Sequence, residues 1–110
     1  MTLVQTNQTS KDFQQLVALL DAELAIRDGD DHAFYHQFNG IDALDHVVVA
    51  YSNNKAIGCG AFKARNREQI EIKRMYVLPA SRKKGYAATI LKALEEWSAE
   101  IGFGEAILET

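Results

Sequence analysis

The chain has 110 residues, 47% apolar and 25% charged, with one proline and seven glycines, a balance that fits one compact domain and excludes disordered or collagen-like chains. No run nears the roughly 18 apolar residues that span a bilayer, residues 1–12 lack the pattern of a secretion signal, and the single Cys59 excludes an internal disulfide, so a cytoplasmic protein without membrane contact is expected. The net charge of −3 hides unlike halves: residues 1–60 hold three Lys/Arg against eight Asp/Glu, and residues 61–110 hold nine against seven.

No repeat, low-complexity tract or linker interrupts the sequence, which reads as one domain over 1–110. Thr2 to Gln5 predicts a short strand. Thr9 to Asp12 has the layout of a capping box, in which a hydroxyl and a carboxylate meet orphan amides. It opens a helix whose residues Phe13, Leu16, Val17, Leu20 and Leu24 share one apolar stripe. Asp28, Gly29, Asp30 and Asp31 close that helix and lack the Gly and Glu of a calcium loop. Residues 33–39 predict a short second helix stopped by Gly40. His32 and His36 share its face at i, i+4, but no third ligand is spaced to join them, so no metal is expected.

His46 to Tyr51 is rich in β-branched residues and, with Ala56 to Ala64, predicts a hairpin around Ser52, Asn53 and Asn54. Gly58 and Gly60 leave one face of its second strand almost bare, which either weakens it or lets something approach closely. Gln69 to Val77 is a further strand whose alternation slips. Ile70 and Ile72 share one parity while Met75 and Val77 share the other, so either a bulge near Lys73 or Arg74 realigns them or both faces are buried. Beyond Pro79, a helix opens at Tyr86, carries Ala87, Ile90, Leu91, Leu94, Trp97 and Ile101 at helical spacing, and stops at Gly102. Glu105 to Thr110 predicts the last strand. The element order is that of a mixed α/β fold.

Eight basic residues fall between Lys63 and Lys84, so an anionic partner is expected there, with a solvated basic surface as the alternative. No aromatic stacking motif interleaves with them, which argues against nucleic acid. A strand, a basic loop with glycine and a helix N-terminus make an anion site, because unpaired amides and the macrodipole converge. Arg82, Lys83, Lys84, Gly85, Tyr86 and Ala87 supply that arrangement, with Gly85 leaving the backbone unobstructed and the basic side chains adding charge. The spacing is neither a P-loop nor a dinucleotide fingerprint. A multiply charged phosphate is the natural guest.

This segment, following Met75, Tyr76, Val77 and Pro79, resembles the Gln/Arg-x-x-Gly-x-Gly/Ala signature of the GNAT (GCN5-related N-acetyltransferase) superfamily. The resemblance implies an α/β fold with a mainly antiparallel sheet of about five strands and helices on both faces, C-terminally incomplete. It implies acetyl-CoA as co-substrate, its pyrophosphate on the amides of Arg82 to Ala87 and its pantetheine arm along Met75, Tyr76 and Val77. It makes the Met75 N–H the oxyanion donor and Glu71 the base that deprotonates the acceptor. The alternative for Glu71 is pairing with Lys73, Lys63 or Arg65. The implied activity is direct acetyl transfer to a small-molecule or peptide amine, or, alternatively, coenzyme A or partner binding without turnover. The acidic first half favours a cationic acceptor such as a polyamine, aminoglycoside or lysine side chain.

In similar proteins Phe34, Tyr35, Phe38 and Asn39 would fall in the acceptor-pocket segment, with capping of the sheet as the alternative. Cys59 reads as a small buried strand residue rather than an acyl carrier. Family members continue after the last strand with a helix and a strand pair that supply a tyrosine general acid. The sequence ends before them, so an open edge is expected, along with a homo-oligomer or a chain that completes the sheet. A fragment, a natural truncation and a subunit completed by another chain all fit that pattern.

Overall fold

The structure, a computed structural model, describes residues 1–28 and 44–108. The helix expected over 33–39, with His32, His36, Phe34, Tyr35, Phe38 and Asn39, lies outside the described residues, as do Asp30 and Asp31. In chain order the elements are β1 (Thr2–Thr6), α1 (Lys11–Asp28), β2 (His46–Ser52), β3 (Lys55–Ala64), β4 (Gln69–Val77), a 3-10 turn (Pro79–Ser81), α2 (Tyr86–Ile101) and β5 (Glu105–Leu108). The strands form one sheet in sequential order. The pairs from β1 to β4 are antiparallel, and β5 runs parallel to β4, as its crossover through α2 requires. Among the described residues, no helix is long and apolar enough to cross a membrane.

Local chemistry explains the boundaries. Asn53 and Asn54 both adopt positive φ, 52° and 64°, the conformation a tight two-residue hairpin demands and asparagine tolerates. Ser10 caps α1, its Oγ accepting from the Phe13 amide at 3.2 Å. The carboxylate half of the expected capping box goes elsewhere: Asp12 accepts from the Tyr51 hydroxyl at 2.6 Å and ties α1 to β2. Gly102, at φ 124°, ends α2, and the Phe103 amide returns to the Ser98 carbonyl at 3.0 Å.

The sheet separates two apolar layers. On one face, Phe13, Leu16 and Val17 of α1 pack on Val47, Val49, Cys59, Ala61 and Tyr76. On the other, Ile90 and Leu94 of α2 pack on Val48, Ala50, Phe62, Ile70, Ile72 and Val77. Strand alternation alone cannot place Ile70, Ile72 and Val77 together, and β4 resolves this with a bulge. Cys59 pairs Tyr76 and Ala61 pairs Lys73, so Arg74 and Met75 oppose Gly60 alone. Arg74 sits at φ 56°, a left-handed conformation that costs a non-glycine residue energy.

The bare face of β3 also has its explanation. A Cβ on Gly60 would collide with Met75 Sδ and lie 2.8 Å from Leu94 Cδ1, and one on Gly58 would lie 3.0 Å from both Ile90 Cδ1 and the Tyr76 carbonyl oxygen. The close approach is by α2 and β4. These glycines let the helix settle directly on the strand.

Candidate active site

A cleft of about 320 Å³ opens between α1 and the C-terminal half of β4. Leu20, Glu23 and Leu24 form its α1 wall, Met75, Tyr76 and Val77 its strand wall, and Arg82 and Ala87 its end. Tyr76 and Val77 pair Cys59 and Gly58 of β3 along one edge of β4, and together with Met75 they line the cleft.

Two ion pairs brace α1 against this half of β4 and the turn after it. Arg74 Nη1 meets Asp21 Oδ1 at 2.8 Å with the Arg74 side chain only 10% exposed, and Arg82 Nη2 meets Glu23 Oε2 at 2.7 Å. Arg82 also donates from Nε to the Val77 carbonyl at 2.8 Å, and its guanidinium lies 5.4 Å from the Tyr76 ring centroid. Burial and the nearby Glu23 charge push the Tyr76 hydroxyl above its ordinary pKa, so it stays protonated.

The turn following β4 leaves part of its backbone without protein partners among the described residues. The Arg82 amide returns to the Pro79 carbonyl at 3.3 Å, and the first bond of α2 runs from the Thr89 amide to the Gly85 carbonyl at 3.1 Å. Between them, the amides of Lys83, Lys84, Gly85, Tyr86 and Ala87 donate to no protein acceptor among the described residues. Lys83 at φ 65° and Gly85 at φ 81° both take left-handed backbone immediately before the N-terminus of α2, the kind of end that leaves amides available to an anion. Nothing lies within 4 Å of a Cβ built on Gly85. Glycine serves the left-handed turn here, and the space outside it is open.

A family model for the acetyltransferase (GNAT) family matches residues 13–110. The chain belongs to the GNAT acetyltransferase family. Comparison with curated proteins finds no match. Among solved structures, this GNAT chain is similar to a Klebsiella pneumoniae protein assigned as an acyl-CoA N-acyltransferase, at 25% identity and TM-score 0.71 over 91% of this chain and 64% of that one. It thus spans slightly less than two thirds of the Klebsiella protein. A Staphylococcus aureus protein assigned to the GNAT family aligns at TM-score 0.70 and 15% identity, over 100% of this chain and 99% of that one. A Clostridium acetobutylicum protein assigned as an acetyltransferase, solved with acetyl-CoA, aligns at TM-score 0.66 and 20% identity over 99% and 80%. The last two likenesses concern the fold.

Within the GNAT fold, the residues named from sequence separate into groups. Met75, Tyr76, Val77, Arg82 and Ala87 meet in the cleft, and Lys83, Lys84 and Gly85 form the turn between its last two lining residues. The side chain of Tyr86 packs against the α2-side core. Arg82 departs from the expectation that its charge faces an anion, because its guanidinium is bound to Glu23 and Val77. Glu71 does not line the cleft. It lies 3.4 Å from Lys73 Nζ and 3.9 Å from Arg65 Nε, 32% exposed, the pairing alternative that strand chemistry offered.

Sequence reading missed Leu20 and Leu24 as cleft residues and Glu23 altogether, although their i, i+3, i+4 spacing places them on one face of α1. Among the described residues, no group of three His, Cys, Asp or Glu side chains is placed to hold a metal ion.

Cys59 is fully buried. Burial lifts its thiol from the usual 9 to about 12, against the opposing charge of Arg74. Its folded pKa is raised, so the stability it contributes is present below about 9 and lost as pH climbs toward 12. Native protein at pH 8 is therefore expected to resist iodoacetamide, while urea-unfolded protein labels readily. Equal labelling of the two states would show that the thiol reaches solvent.

Proposed function

We propose that this chain transfers an acetyl group from acetyl-CoA to a primary amine by direct attack within a ternary complex. The observation that carries this reading is the run of amides from Lys83 to Ala87 that meet no protein acceptor among the described residues, beside the cleft lined by Met75, Tyr76 and Val77. Those amides suit a pyrophosphate, with Lys83 and Lys84 adding charge. Met75, Tyr76 and Val77 suit an extended arm carrying amides, which a free strand edge recognises through its own N–H and C=O groups. Leu20 and Leu24 give the opposite wall an apolar surface.

Acetyl-CoA supplies the acyl group as a thioester: the amine nitrogen forms a C–N bond, the C–S bond breaks, and the thiolate leaves with the electron pair. The Met75 amide is assigned to the carbonyl oxygen on which charge develops. Glu71 is assigned to take the proton from the incoming ammonium, directly or through water, since a protonated amine has no lone pair to attack with.

A second reading, a coenzyme A-holding module without turnover, draws on one observation: Glu71 is engaged by Lys73 and Arg65 outside the cleft. Calorimetric titration with coenzyme A, followed by thiol-release assays over an amine panel, separates the two. Glu71→Gln is expected to lower kcat roughly 10²- to 10⁴-fold with coenzyme A affinity retained. An unchanged rate would reject Glu71 as the base, and binding without any turnover would favour the holding module.

A further inference from the structure

The Met75 amide, assigned above to the thioester carbonyl, belongs to the same peptide unit as the Arg74 carbonyl. A trans peptide is planar, with its C=O and N–H pointing in opposite directions, so a group that fixes the Arg74 carbonyl also aims the Met75 N–H. That carbonyl accepts from the Cys59 thiol at 3.4 Å. Cys59 is fully buried, and the burial that lifts its pKa keeps the proton in place for donation. The Met75 N–H is thereby directed away from Cys59.

Arg74 is held through its side chain as well. Its φ of 56° is one that an unbraced residue leaves for the ordinary strand region. Nη1 donates to Asp21 Oδ1 at 2.8 Å, with the Arg74 side chain 10% exposed, and Asp21 stands in the stretch of α1 that supplies Leu20, Glu23 and Leu24 to the cleft wall. Opposite the bulge, Met75 Sδ fills the space that a Cβ on Gly60 would need. Three contacts therefore pin one peptide unit: a thiol on its carbonyl, a carboxylate on the residue before it, and a glycine hollow that seats the residue after it. Backbone strain persists only where the surroundings over-determine it, and such places cluster at functional sites.

We propose that Cys59 and Asp21 are positioning residues for acetyl transfer: together they hold the Arg74–Met75 peptide unit so that the Met75 N–H meets the developing oxyanion. This rests on the acetyl-transfer reading and adds two residues to its machinery. Neither side chain is assigned to the reacting atoms. A misaimed donor leaves the phosphates and the pantetheine arm of the ligand their own contacts, so the loss falls on the transition state and not on ground-state binding.

The test uses the full chain, acetyl-CoA and the amine that the parent turns over fastest in the thiol-release panel. Cys59→Ala, which deletes the donor, and Asp21→Ala, which deletes the acceptor, are each expected to lower kcat about tenfold or more, with KM for acetyl-CoA within about threefold of the parent and coenzyme A bound at full calorimetric stoichiometry. Cys59→Ser, whose hydroxyl can still donate, and Asp21→Asn, whose amide oxygen can still accept, are expected to recover most of the rate. Met75 is one of two methionines, so ¹⁵N-methionine labelling reads its amide directly. That resonance is expected to move in each alanine variant and to return toward its parent position in the serine and asparagine variants. If Cys59→Ala does not fold, the Asp21 pair decides, because the Asp21 side chain is 26% exposed. Unchanged kcat, an unmoved Met75 resonance, conservative variants no better than alanine, or a rate that falls only in step with coenzyme A stoichiometry would overturn the inference while leaving acetyl transfer standing. A parent chain that binds no coenzyme A, or binds it without turning over any amine, would overturn both.

Discussion

Replacing Gly85 with aspartate is expected to lower coenzyme A affinity at least about 100-fold, roughly 2.7 kcal/mol, with the fold retained. Gly85 is the N-cap of α2 and holds φ 81°, where an L residue is strained by about 1–2 kcal/mol. Aspartate offsets part of that strain, because its carboxylate can accept the orphan amides of the first helical turn. That same bond occupies the N–H groups a pyrophosphate needs and places a negative charge before it. Apart from its own chain neighbours, nothing lies within 4 Å of the new Cβ, so packing is undisturbed. Circular dichroism should match the parent while calorimetric affinity collapses, and Gly85→Asn, which caps without charge, should lose less. Unaltered affinity in Gly85→Asp would remove the turn from the ligand site.

The second large effect concerns stability. Phe62 is 1% exposed and is stacked by His46 at 4.6 Å, with interplanar angle 11°, while Trp97 meets its ring edge-on at 5.5 Å. Phe62→Ala removes a large buried ring and leaves a cavity between β3 and α2, a change that typically costs 3–5 kcal/mol. Domains of this size usually hold only about 5–15 kcal/mol in total. Urea unfolding is expected to show a midpoint lowered accordingly. Trp97, the sole tryptophan, reports the loss through its own fluorescence. A midpoint shift equivalent to under about 1 kcal/mol, the size expected of a surface position, would contradict the packing described.

What local pattern controls was legible before any coordinates. The stripe of Phe13, Leu16 and Val17, the Asn53–Asn54 turn, and the glycine-bearing turn before Tyr86 all depend on neighbours within a few positions. The slipped parity between Ile72 and Met75 even marked the bulge, though the sequence left full burial of both faces as an equal explanation. What escaped were side-chain choices made across the fold. Asp12 prefers Tyr51, 39 residues away, over the helix cap. Arg82 turns to Glu23 at a separation of 59 and Arg74 to Asp21 at 53. Glu23 entered the cleft wall for the same reason: tertiary contacts assemble the site from α1 as much as from the signature segment.

The bulge in β4 makes that strand intolerant of length changes. Losing or gaining one residue between Glu71 and Tyr76 would rotate everything downstream by half a strand period, sending Tyr76 toward α2 and Met75 and Val77 toward α1. Such an edit would empty one layer and overfill the other in a single step. The turn at Arg65–Glu68 is held too, since the Asn66 side chain accepts from the Glu68 and Gln69 amides and the Glu68 carbonyl accepts from the Gly104 and Glu105 amides, so an insertion there disturbs the entry to β5.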